Sequence, residues 1–221
     1  MEPLNDHSGL LSLPRELRDN IYLNVLDVKH PLYLFKEDNS DDVEVFAPRT
    51  PARWLALLHT NRKIHAEACE TLYGRHKFVF VDTAKSQGDL LGVFLHKIGA
   101  VNAGYLTHVC INFPAMIVDR QDQNAARKPD LLELELLQER CGSLRTLEAF
   151  VYGQNSKGLV AGRYSPTLGS LSTPEALLQV DAKFKAIPSL PAVLIKPSNG
   201  PLAPEVVELM QGFGWVISVG R

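Results

Sequence analysis

Disulfide bonding, membrane spanning and secretion all lack sequence support in this chain. It carries three cysteines in 221 residues, and Cys69, Cys110 and Cys141 are widely spaced and odd in number, which fits reduced thiols. No C-x-x-C pair occurs, so local spacing builds neither a thiolate zinc site nor a redox dithiol. No apolar run approaches the ~20 residues needed to cross a bilayer, and there is neither a secretory leader nor an Asn-x-Ser/Thr acceptor. An intracellular location, cytoplasmic or nuclear, is the expectation, with no membrane partner. Charge of one sign is scarce as well. Lys and Arg number 23 against 25 Asp and Glu, a formal net charge of -2, which gives no broad attraction toward phosphate. Nucleic acid is therefore not an expected partner.

What the chain does have is an ordinary globular composition, 45% hydrophobic and 22% charged, enough for one elongated domain or two small ones. Residues 1–9 are polar and read as a tail. A helix then opens near Pro14, whose fixed φ suits a first turn, with Glu16 at the positive end of the dipole. At helical spacing Leu13, Leu17, Ile21 and Val25 form one stripe, while Tyr22, Leu23 and Leu26 fall on another side. Two apolar surfaces require two partners. Burying one leucine-sized side chain contributes roughly 1.5–3 kcal/mol, so one stripe is assigned to the protein's own core and the other to a partner.

Downstream, "LYLFKEDNSDDVEVFAP" places two β-prone runs around an acidic cluster and predicts a hairpin. A long helix is expected from Pro51 to a cap at Gly74. Its apolar stripe is Trp54, Leu57, Leu58, Ile64, Ala68 and Leu72, joined by Asn61 and His65. Lys63, Glu67 and Glu70 are assigned to its wet face, with Lys63 and Glu67 spaced as a surface pair. "KFVFVD" reads as a strand.

The second half alternates strand-like and helical runs. Four stretches, "LTHVCI", "LRTLEA", "IPSLPA" and "FGWVIS", share an apolar-x-x-apolar-x-small template, with helical candidates "PDLLELELLQERCG", "TPEALLQVDAKFKA" and "PEVVELMQGFG" between them. Strand, crossover helix, parallel strand is the expected pattern. The copies are longer and less even than a regular leucine-rich repeat of about 20–29 residues. The polar stretches from Val118 and from Tyr152 read as projecting loops.

Enzyme chemistry finds little footing. His65-x-Glu67 opens a zinc-deaminase signature, but the Pro-Cys-x-x-Cys partner is missing, and the two side chains diverge by about 200° on a helix; a hydrogen-bonded core histidine is the better reading. Neither a nucleophile elbow nor a phosphate loop occurs. Each cysteine lies among apolar residues, as a buried, inert thiol does. No catalytic residue, cofactor or metal is assigned.

"SLPRELRDNIYLNVL" and the later "LLHTNRKIHAEACETLYG" together resemble the F-box-like segment of a large fungal family of intracellular proteins. The matching residues are Leu13, Pro14, Glu16, Leu17, Arg18, Ile21 and Tyr22, then Leu57, Leu58, Arg62, Ile64, Glu67, Ala68, Leu72 and Tyr73. The following "FLHKIGAVNAGYLTHVCINFP" is similar to the segment that often succeeds them, and "CGSLRTLEAF" to leucine-rich repeats of F-box proteins. The resemblance implies an α/β protein: a helical F-box-like segment with a β-hairpin insert over 10–82, then an irregular leucine-rich-repeat-like parallel βα array over 83–221. It further implies a non-enzymatic substrate receptor that docks on the Skp adaptor of a cullin-RING ubiquitin ligase. Leu13, Pro14, Glu16, Leu17, Ile21, Tyr22 and Leu26 are then the partner-binding residues, and an unknown protein is the substrate. A scaffold with no link to the ligase and an enzyme with an unrecognised site stay open at this stage.

Overall fold

The structure, a computed structural model, describes residues 9–37, 42–48, 50–51, 53–82, 86–114, 116–117, 128–152, 158–162, 167–168, 171–198 and 200–218. The expected tail up to Ser8, the hairpin tip at 38–41 and most of the two expected loops lie outside these residues. Six helices are described: α1 (Arg15–Leu26), α2 (Arg62–Arg75), α3 (Gln87–Tyr105), α4 (Leu132–Arg140), α5 (Thr173–Lys185) and α6 (Pro204–Gly212). Seven strands form one sheet: β1 (Leu32–Lys36), β2 (Val43–Phe46), β3 (Lys77–Phe80), β4 (His108–Asn112), β7 (Thr146–Val151), β10 (Ala192–Pro197) and β11 (Val216–Ile217). Two short hairpins stand apart, β5 (Met116–Ile117) with β6 (Lys128–Pro129) and β8 (Thr167–Leu168) with β9 (Leu171–Ser172).

The sheet order is β11-β10-β7-β4-β3-β1-β2. β1 and β2 form the expected antiparallel hairpin; every other pairing is parallel. The parallel strands β1, β3, β4, β7, β10 and β11 lie side by side in chain order, with β2 on the outer side of β1, and right-handed crossovers then put every connecting helix on the same face. Phe78 and Phe80 of β3 meet Phe94 of α3 at ring-centroid separations of 5.7 and 5.4 Å on that face. Val109, Ile111, Leu147, Ala149, Val193 and Ile195 continue it as a buried layer under the helices. Side chains alternate across a strand, so the intervening residues form a second face of different composition. β3, from the expected first segment, pairs with β4, from the expected second, and both contribute to one apolar layer.

Four local expectations are corrected. The helix from Pro51 is broken: a 3-10 turn covers Ala56–His59, and α2 begins only at Arg62. Asn61 starts it, its side-chain carbonyl accepting from the Lys63 and Ile64 amides at 3.0 Å each, an N-cap role that overrides its place in an apolar stripe. His65 is exposed, with Nδ1 2.7 Å from the Leu58 carbonyl, instead of lying in the core. "IPSLPA" is not a strand; β10 begins only at its last residue, Ala192. Pro188 and Pro191 have no amide to give to the ladder, which keeps that stretch out of an interior strand. No helix among the described residues is long and apolar enough to cross a membrane.

Candidate docking site

The sequence RELRDNIYLNVL gives α1 two apolar sides, and the two have different fates. Tyr22 and Leu26 are 0% exposed and belong to the protein's own core. This corrects their assignment to a partner: the i, i+4, i+8 line Arg18, Tyr22, Leu26 is the side that faces α2. On the other side Leu17 is 49% and Val25 42% exposed, Ile21 and Leu13 are half-buried, and Pro14 and Glu16 are exposed. Leu11, just ahead of the helix, is exposed too.

Charge fixes the inner side. Glu67 of α2, expected on a wet face, is buried by α1 and receives a bidentate pair from Arg18, Nε to Oε2 at 2.7 Å and Nη2 to Oε1 at 2.7 Å. The Tyr22 hydroxyl donates to Oε2 at 2.8 Å, and Arg18 Nη1 donates back to the Leu13 carbonyl. The Arg18 guanidinium, outweighing the cost of burial, pulls the Glu67 carboxyl down to about 2. A fork of parallel charge-assisted hydrogen bonds sets orientation as well as attraction, so this clamp fixes how α1 rolls on α2 and which stripe faces outward. The Lys63–Glu67 surface pair does not form. On the rim Arg15 donates to Asp19 at 2.6 Å and to Glu70 at 2.9 Å, beside a cleft of about 330 Å³.

A second constellation, absent from the sequence reading, lies on the sheet face away from the helices. Strand register aligns Tyr33, Val79, Cys110, Glu148, Leu194 and Val216 in one row across six strands. Glu148, almost wholly buried, accepts at Oε1 from His108 Nε2 at 2.9 Å and at Oε2 from Lys196 Nζ at 2.7 Å. Lys77 Nζ also donates to Oε2, and the Cys110 thiol lies 3.7 Å from the same atom. Burial acts to raise the Glu148 carboxyl, but the hydrogen bonds from His108, Lys196 and Lys77 together hold it far below the ordinary carboxylate range. Burial pushes the Cys110 thiol up to about 12, as it does that of Cys141. Neither is a nucleophile in that state. The donors are 40, 71 and 48 residues from Glu148 in the chain, His108, Lys77 and Lys196 in turn. Only sheet register could have revealed them.

The fold and these surfaces define an α/β protein with a mostly parallel sheet, helices on one side and a partly uncovered apolar helix. Compared with known proteins, the chain matches no family model, no curated protein and no solved structure.

Proposed function

We propose that the chain is a non-enzymatic protein-interaction adaptor, an F-box-like substrate receptor that docks on a Skp-type adaptor of a cullin-RING ubiquitin ligase. Leu13, Pro14, Glu16, Leu17 and Ile21 make the contact, with Val25 extending it. The observation that supports this reading is the division of α1: Arg18, Tyr22 and Leu26 anchor the helix while Leu17 and Val25 stay open. An apolar stripe left uncovered on a well-anchored helix forfeits burial free energy unless a partner supplies the cover. The resemblance of the Leu-Pro-x-Glu-Leu-Arg segment to F-box-like helices names the partner.

Co-expression with a Skp-type adaptor tests it. Wild type elutes as a stable complex in size-exclusion chromatography, and Pro14→Ala with Leu17→Asp abolishes the complex while circular dichroism stays unchanged. No complex with wild type, or a complex indifferent to the double substitution, refutes the adaptor reading.

A further inference from the structure

We infer that the helix-free face of the sheet is a binding surface for an acidic, apolar-rich protein segment, seated over Lys77, His108 and Lys196. The inference goes beyond adaptor docking and uses a different surface; it shares with that reading only the premise that the chain binds proteins.

Three observations carry it. Every crossover helix lies on the opposite face, so no described helix shields this one. At its margins Phe46, Val81, Tyr152 and Val216 are each more than half exposed, where an isolated sheet face would favour polar side chains. Register places Phe46 opposite Tyr33, and Val216 beside Leu194, on this same face. At its centre one carboxylate, Glu148, faces two ammonium groups and an imidazole. Lys77, Lys196 and His108 each remain partly exposed while Glu148 is sealed beneath them. The carboxylate thus gathers the cations, and two ammonium groups against one carboxylate leave the partly exposed cluster with a net positive charge.

An occupant that matches this pattern carries carboxylates between apolar side chains. Acidic groups meet Lys77 and Lys196, and apolar ones meet the aromatic margins; Lys196 already lies 5.9 Å over the Phe150 ring, so its stem and ring form one platform. A nucleic-acid strand fits less well. Two lysines and a histidine in a chain of net charge -2 do not track a phosphate backbone.

Fluorescence anisotropy on the full chain tests the inference, with short labelled peptides that share Phe and Leu positions and carry Glu, Gln or Lys between them. The Glu peptide binds at least tenfold tighter than the Gln peptide, the Lys peptide does not bind, and added salt narrows the difference. Lys196→Gln, which leaves Lys77 and His108 on Glu148, removes most of the preference. Phe46→Asp and Val216→Asp, at exposed positions where folding is insensitive, each weaken the Glu peptide about tenfold through like-charge repulsion and lost apolar contact. Equal binding of the Glu and Gln peptides, indifference to the Phe46 and Val216 substitutions, or tighter binding of an oligo-uridylate overturns the proposal. Leu17→Asp separates the two readings: it breaks Skp-adaptor docking and leaves Glu-peptide binding intact.

Discussion

Leu17→Asp and Leu26→Ala alter the same helix on opposite sides, and their energetic consequences should differ several-fold. Leu26 is 0% exposed and packed in the main core, so truncation to Ala loses both transfer free energy and packing, about 2–5 kcal/mol. Leu17 is 49% exposed, so at most about half of a full burial term, roughly 1 kcal/mol, is at stake. Asp in the first turn of α1 also interacts favourably with the helix dipole by about 0.3–1 kcal/mol, leaving a net change below about 1 kcal/mol. Urea unfolding followed by circular dichroism measures both. Leu17→Asp should leave the midpoint nearly unmoved, while Leu26→Ala lowers it sharply with an unchanged slope. A Leu17→Asp loss above about 2 kcal/mol, or a Leu26→Ala loss below about 1, would show that α1 is seated the other way round, and the proposed docking stripe would be lost with it.

Glu133 of α4 is buried, which pushes its carboxyl up to about 7, and backbone hydrogen bonds from its own amide and from Gly88 offset only part of that. Its contribution to stability is fully present below the ordinary carboxylate range and is lost as pH rises toward 7, so Glu133→Gln should match wild type near pH 4 and exceed it by up to about 3 kcal/mol at pH 8, as read by denaturant titration at each pH. Glu67 has the opposite sign: held at about 2 by Arg18, it contributes above pH 4.5 and loses that contribution as pH falls toward 2. Glu67→Gln should therefore melt below wild type at pH 7, with the gap closing across that acid window in thermal scans. Asn61→Ala removes the cap on α2 and should cost about 1 kcal/mol in the same urea assay, with Asn61→Asp restoring most of it.

Sequence patterns reported what depends on near neighbours. Alternation in LYLFK and VEVF around a polar cluster located β1 and β2, and LTHVCI and LRTLEA located β4 and β7. They misjudged positions decided by distant residues. Glu67 looked solvated because charged side chains on a helix usually are, yet its partner Arg18 lies 49 residues earlier on α1. Tyr22 and Leu26 could be separated from Leu17 and Val25 by helical angle, but periodicity does not say which of two apolar sides faces inward. Arg18 and Tyr22 on one helix and Glu67 on the next were the available clue, since an arginine, a hydroxyl and a carboxylate in two adjacent helices form a natural clamp. The Glu148 cluster had no such clue, because Glu148, His108, Lys77 and Lys196 come from four different strands.

The order in which the strands are laid down also determines how the molecule can change in length. Because β3, β4, β7, β10 and β11 are each added on the same side of the parallel strand before, β11 stands at one edge of the sheet with only two residues. Another βα unit could be appended there, or the last one removed, without rethreading anything earlier. Related chains built on this plan could therefore differ in the width of the surface they offer while keeping the same amino-terminal helix.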